Sequence, residues 1–266
     1  MAVEAPWEPS RYERFAEHRA RPFLDLLARI GARDPDLVVD LGCGNGPMTL
    51  LAADRWTGAR VVGVDSSPQM LDRARQLDTG GRVQWVQADI AEWNICAAGA
   101  PDVVISNAAL QWVPRHEELI PRWCEQLADG AWFALQVPGN GDAPSHQLMA
   151  EAVRDHPRRG ELLPLLDRNR SAGPERYAEL LSRHCSLVDV WETTYLQILD
   201  PAAASAHPVL DWVSGTSLRP LLAALDGAER EEFVADLAER YDRAYPRRAY
   251  GVPFPFRRVF AVGRRG

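Results

Sequence analysis

The chain reads as an α/β protein with a doubly wound, mostly parallel sheet of about seven strands and helical lid insertions. Three observations predict this. Short, near-continuous apolar runs alternate with helical patterns through the first half, as expected for parallel strands covered on both faces. A glycine-rich stretch, Asp40-Leu41-Gly42-Cys43-Gly44-Asn45-Gly46, follows the first run and precedes a helical pattern. Carboxylates end the second and third runs, Asp65 and Asp89, and open α/β sheets bind ligands at the carboxyl ends of their strands.

Taken in order, Arg11–Arg19 and Pro22–Ile30 predict two short helices ahead of the first strand, the second of them amphipathic. Leu37–Leu41, Val61–Val64, Val83–Val86, Val103–Ile105 and Trp132–Val137 predict five strands. Ser67-Pro68 places a cap residue before a proline at the first helical position, ahead of QMLDRARQL. Glu117–Leu127 carries Ile120, Trp123 and Leu127 at helical spacing, with Pro121 marking a start or a kink. After residue 138 a loop, Gly139–Pro144, leads into arginine-rich helical patterns as far as His184. Leu187–Leu199 then predicts a long strand, residues 202–245 a second helical stretch, and Arg258–Val262 a last strand. The organisation expected is a single domain over 1–266. An N-terminal helical segment spans 1–35 and a ligand-binding half 36–138. Helical lid or substrate insertions span 139–186 and 200–250, and closing strands 187–199 and 256–263.

With 266 residues the chain can form one large core, or one core and a cap. A net charge of −7 argues against a generally nucleic-acid-binding surface. All 30 basic residues are arginine, so a phosphate-loop lysine, a Schiff-base lysine and a lysine base are excluded. No apolar run approaches the ~20 residues of a membrane span, and the first 15 residues lack the pattern of a secretory signal. Cys43, Cys96, Cys124 and Cys185 are scattered without metal-ligand spacing, which predicts reduced, mostly buried thiols, a cytoplasmic protein and no metal site. His18, His116, His156, His184 and His207 read as ordinary surface or interface residues.

In the glycine stretch the backbone turns sharply and a ligand can approach where side chains would clash. A dinucleotide fingerprint counted from Gly42 needs glycine or alanine at position 47, which is Pro47. The spacing D-x-G-x-G-x-G instead resembles the first motif of class I S-adenosylmethionine methyltransferases. That resemblance implies S-adenosyl-L-methionine as cofactor and S-adenosyl-L-homocysteine as product, with Asp40, Gly42, Cys43, Gly44 and Gly46 around the methionine end. Asp65, with Ser66 beside it, then accepts from the ribose hydroxyls, a role shared with dinucleotide enzymes. Asp89 accepts from the adenine amine, and Met70 and Ile90 supply apolar contact to the ring. The fourth strand ends Ser106-Asn107-Ala108-Ala109-Leu110-Gln111-Trp112. This departs from the Asn/Asp-Pro-Pro-aromatic motif common among DNA amino-methyltransferases, while Asn107 stays in the cofactor set. Trp112 reads equally as a pocket wall and as a core residue. Tyr12 and Trp7 are candidates to close over the cofactor.

A narrower resemblance rests on several stretches. They are Trp7-Glu8-Pro9 with Tyr12, NAALQWV at 107–113, Gln136-Val137-Pro138-Gly139-Asn140 and Ala143-Pro144-Ser145-His146. The later ones are Val190-Trp191-Glu192-Thr193-Thr194-Tyr195, Trp212-Val213-Ser214-Gly215-Thr216 with Leu218-Arg219-Pro220, Tyr245-Pro246-Arg247-Arg248 and Pro253-Phe254-Pro255. Together they resemble the trans-aconitate 2-methyltransferase family over nearly the whole chain. One departure is Gln197, where the family suggests histidine. The resemblance implies esterification of a small polycarboxylic acid, with Arg219, Arg247 and Arg248 as carboxylate ligands, Tyr195 and Thr216 as neutral donors, and Trp112 and His146 nearby. No catalytic residue is expected, because a carboxylate with a pKa of about 4 is already nucleophilic at neutral pH. The expected partner is a small anionic acid, with no nucleic acid or membrane, in a monomer or weak homodimer. Three other readings remain open on the sequence: a methyltransferase for O or N of another small metabolite, a nicotinamide-dependent oxidoreductase, and a non-catalytic cofactor-binding module.

Overall fold

The computed structural model describes residues 16–166 and 171–266. Among these, β1 (Leu37–Leu41), β2 (Arg60–Asp65), β3 (Val83–Gln87), β4 (Val103–Asn107), β5 (Trp132–Pro138), β6 (Cys185–Leu199) and β7 (Val252–Arg265) form one sheet in the order β3-β2-β1-β4-β5-β7-β6. The first five strands pair in parallel, and β7 runs antiparallel to β5. The chain winds outward through β2 and β3 and returns through β4, so the direction of winding reverses between β1 and β4. Ligand crevices open at such a switch point.

By internal contacts the chain divides into two compact units. The sheet unit comprises Arg19–Pro138, Ser171–Thr193 and Arg258–Gly266. Alternate residues of its strands, among them Val39, Leu41, Val62, Val64, Val104, Phe133 and Leu135, enter one buried cluster with Trp123 of α4 (His116–Gln126) and Tyr177, Leu180 and Leu181 of α7 (Pro174–Leu181). Trp123 and Phe133 pack with ring centroids 6.0 Å apart, and cutting either to alanine costs about 3–5 kcal/mol. The helical unit takes in residues 139–166 and 194–257 of the described chain. Its own cluster joins α5 (Pro144–Asp155), α6 (Arg159–Leu166), α8 (Pro208–Ser214), α9 (Arg219–Ala224) and α10 (Gly227–Ala244) around Trp212, Leu221, Leu237 and Tyr241.

Four expectations are corrected. Among the described residues one helix, α1 (Ala16–Arg29), runs through Pro22, so the helix expected from Pro22 begins earlier; residues 11–15 of the expected Arg11–Arg19 helix lie outside the described residues. Phe23, Leu26, Leu27 and Ile30 behind it are buried at helical spacing, and this packing outweighs the one hydrogen bond a proline removes. Of the two roles expected for Pro121, the helix start is ruled out, since α4 begins five residues earlier at His116 and Pro121 lies inside it. His116 is not a surface residue: it is buried, stacks on Tyr177, and its Nε2 lies 2.9 Å from the Tyr177 hydroxyl. Lastly, β7 starts at Val252 and takes in Pro253 and Pro255. Both share the alternation of Arg257, whose N–H meets the Asn140 side chain at 2.8 Å and whose carbonyl accepts from Gly139. Proline is tolerated at strand positions whose N–H has no ladder partner to lose.

Candidate functional site

The glycine loop lies between β1 and α2 (Pro47–Arg55). Gly42, Gly44 and Gly46 have φ of 80°, 56° and 90°, the left-handed region that glycine enters without steric cost. At Gly42 a side chain would collide with the Cβ of Ala109, whereas around Gly44 there is open space. Gly46 caps α2 and Pro47 takes its first position, leaving the free N–H groups of a helix start beside the loop. Asp40 is buried at the end of β1, where the Thr49 hydroxyl donates to its Oδ2 at 2.6 Å. Burial lifts its carboxyl to about 6, against the opposing pull of the Thr49 hydrogen bond. Burial and the carboxylates of Asp40 and Asp65 also push up the Cys43 thiol, which stays neutral.

Asp65 ends β2 and organises the neighbouring backbone. Its Oδ2 accepts from Gly44 N–H and its Oδ1 from Ser67 N–H, both at 2.9 Å. Ser66 beside it is exposed. Ser67 caps α3 (Pro68–Leu77) by accepting from Met70 N–H, which sets Met70, half-buried, at the first turn. Asp89 follows β3, exposed, and its Oδ1 accepts from Ala91 N–H at 2.9 Å. Ile90 is buried, with its Cδ1 3.9 Å from where a Gly42 side chain would begin. Asn107 ends β4, and its buried Oδ1 has no hydrogen-bond partner among the described residues. The next residue, Ala108, has φ 53°, a strained conformation for a residue with a side chain. Gln111 Nε2 donates to the Ala108 carbonyl at 2.7 Å and holds the turn. Ala109 follows, its Cβ against the place where a Gly42 side chain would begin. The structure thus gathers Asp40, Gly42, Cys43, Gly44, Gly46, Asp65, Ser66, Ile90 and Asn107 at the carboxyl ends of four adjacent strands. Trp112 is 47% exposed in a short 3-10 turn, so it is not a core residue. Tyr12 and Trp7 lie outside the described residues.

Two polar residues of this unit were not singled out from the sequence. Gln136 on β5 is fully buried and accepts from Nη1 of the buried Arg258 at 3.0 Å, while its Nε2 has no partner among the described residues. Parallel register sets Gln136 beside Asn107. Only the pairing of β4, β5 and β7 reveals that these positions share a face.

In the helical unit, Tyr195 is buried on β6, and Thr216 and Arg219 are half-buried around the start of α9. The Thr216 hydroxyl donates back to the Val213 carbonyl at 3.3 Å. His146 is half-buried on α5, and burial lowers its pKa, so the ring is neutral at pH 7. Arg247 is committed inside its own unit: it pairs with Asp200 at 2.7 Å and donates to the Asp200 and Ser205 carbonyls. Arg248 is exposed, its backbone bridged to Gly251. Tyr245, from the same YPRR stretch, accepts from Ser145 N–H at 2.8 Å and braces the start of α5. Among the described residues no group of three metal-capable side chains occurs, and no helix is long and apolar enough to cross a membrane.

A family model described as a methyltransferase domain matches residues 38–130. The chain is 49% identical to trans-aconitate 2-methyltransferase of Streptomyces coelicolor, over 100% of this chain and 89% of that protein. To the protein of the same name from Streptomyces avermitilis it is 46% identical, over 98% and 97%. Among solved structures, phosphoethanolamine N-methyltransferase 2 of Haemonchus contortus, in complex with phosphomonomethylethanolamine and S-adenosylhomocysteine, is similar with a TM-score of 0.55. The match is 17% identical and covers 92% of this chain and 53% of that one, a likeness of fold.

Proposed function

The chain belongs to the trans-aconitate 2-methyltransferase family, and on that premise we propose that it converts trans-aconitate to a monomethyl ester. It is an S-adenosylmethionine-dependent methyltransferase on a class I fold. The observation that carries the substrate reading is the extent of the similarity: 49% identity spans the helical unit as well as the sheet unit.

The residues at the strand ends fit the cofactor. Open space at Gly44 leaves room for a ligand to lie against the loop, and each Asp65 oxygen keeps a lone pair beyond its one N–H contact. In this reading Gly42, Gly44 and Gly46 receive the methionine end, Asp65 with Ser66 the ribose, Asp89 the adenine amine, and Met70 and Ile90 the ring. Bound there, S-adenosylmethionine supplies an electrophilic sulfonium methyl group. The acid needs no proton removed, since a carboxylate of pKa about 4 is ionised at pH 7. The chain's contribution is alignment, and effective molarities of about 10⁵ M or more are available to well-oriented reactants. Arg219 and Tyr195 are the acid ligands of this reading, Arg219 through its planar fork, and Thr216 joins them once its hydroxyl turns from the Val213 carbonyl. Arg247 drops out of the set because Asp200 holds it. Residues 36–138 act as the cofactor half, and 139–186 and 200–250 carry the acid-side residues. Four free thiols support a reducing, cytoplasmic setting.

The test is methyl transfer from labelled S-adenosylmethionine by purified protein to trans-aconitate, cis-aconitate, isocitrate and citrate. Ester formed preferentially on trans-aconitate is the expected outcome. Cofactor binding without transfer to any of the four would refute the substrate and leave the fold untouched.

A further inference from the structure

Gln197 is the least satisfied buried side chain of the helical unit. It is 3% exposed on β6, inward-facing between Tyr195 and Leu199. Neither its Nε2 nor its Oε1 has a hydrogen-bond partner among the described residues. An amide buried in this way is costly at both ends, and leucine, of similar size, would serve the fold better. A second atom of the same unit shares the condition: the Ser217 Oγ, buried in the turn between α8 and α9, also has no partner among the described residues. Both places border the apolar cluster of the helical unit. Leu199, next along the inward face from Gln197, belongs to one apolar cluster with Val213 and Leu218, which flank the turn that carries Ser217.

We propose that Gln197 and Ser217 line a subsite for a carboxylate of the acid acceptor other than the one that is methylated. The inference rests on the carboxylate-methylation reading above. An ionised carboxylate offers acceptors only, and the chain sets two neutral donors for it: the Gln197 amide N–H and the Ser217 hydroxyl. Gln197 Oε1 accepts from water that enters with the acid. Neutral donors select differently from arginine. A guanidinium attracts any anion, whereas a buried neutral donor rejects an acid lacking a carboxylate at that place, because the donor is then left unpaired.

Gln197→Leu tests this, with Ser217→Ala as the second variant. For Gln197→Leu the KM for trans-aconitate rises about 10- to 100-fold with kcat nearly unchanged, S-adenosylhomocysteine binds as before, and Tm holds or rises. Ser217→Ala raises KM in the same direction by about tenfold. A KM within twofold of the parent protein in both variants, or a Tm that falls together with kcat, overturns the proposal. A binding readout separates it from the function it builds on. With S-adenosylhomocysteine present, trans-aconitate should raise the Tm of the parent protein and leave that of Gln197→Leu unmoved. Equal shifts, or none in the parent protein, refute the subsite; absence of methyl transfer alone refutes only the reaction.

Discussion

The glycine loop and the inner face of β6 treat buried polar atoms in opposite ways. Around the loop, Asp40 holds the Thr49 hydroxyl, and Asp65 holds the N–H groups of Gly44 and Ser67. The cradle keeps its shape with partners drawn from the chain alone. On β6, Gln197 is equally sealed from water and has no partner among the described residues at either end of its amide. One region is organised in advance, at no lasting cost in hydrogen bonds. The other carries a cost that only a further polar group can offset.

The sharpest way to break the first half of that contrast is Gly42→Ala. Its left-handed φ and the collision with Ala109 together cost on the order of 3 kcal/mol, so S-adenosylhomocysteine affinity by calorimetry should fall about 100-fold. Unchanged affinity would move the cofactor elsewhere. Asp40→Asn probes the same cradle through pH. The folded pKa of Asp40 is raised from 3.8 to about 6, so the proton is held more tightly in the folded state. The stability this group contributes is full below its unfolded pKa and is lost as pH rises towards 6. Asparagine can still accept from Thr49 and escapes that loss. The variant should therefore exceed the parent protein in unfolding free energy by on the order of 2–3 kcal/mol at pH 7, converging near pH 3. A difference that ignores pH in denaturant titrations would contradict the buried-carboxylate account. Asp65→Ala removes the acceptor for two N–H groups and the expected ribose contact, and should weaken cofactor-product binding about 10- to 100-fold. On the helical side the contrast is between two arginines. Arg219→Ala is expected to raise the acid KM about tenfold. Arg247→Ala should cost at most about 1 kcal/mol of stability, its ion pair with Asp200 being partly exposed, with KM unmoved. A raised KM in the latter would return Arg247 to the acid-binding set.

Much of the sheet was legible because its strands are short apolar runs punctuated by glycine, aspartate and proline. The loop from Asp40 to Gly46 declared itself by residue type and position, and Asp65 and Asp89 by ending strands. Other features needed the third dimension. Pro22 reads as a helix start and the last strand as beginning at Arg258, yet α1 runs through Pro22 and β7 through Pro253, because packing and strand parity decide what a missing N–H costs. His116 reads as a polar surface residue until Tyr177, 61 positions later, arrives to stack on it. The pairing of Gln136 with Arg258 follows from strand register, which one-dimensional pattern does not carry. Gln197 stood out in the sequence only as a departure from a family pattern; its burial without partners among the described residues is legible only in the fold.

The contact between Gly42 and Ala109 also bears on how this enzyme can be changed. Ala109 fills the volume that any side chain at 42 would need, so for directed evolution the two positions behave as one locus. Libraries that randomise the turn after β4 will lose most members whenever 109 grows. The yield should improve if 109 is held at alanine or glycine, Gln111 is kept to hold the turn, and the exposed Trp112 is varied beside it.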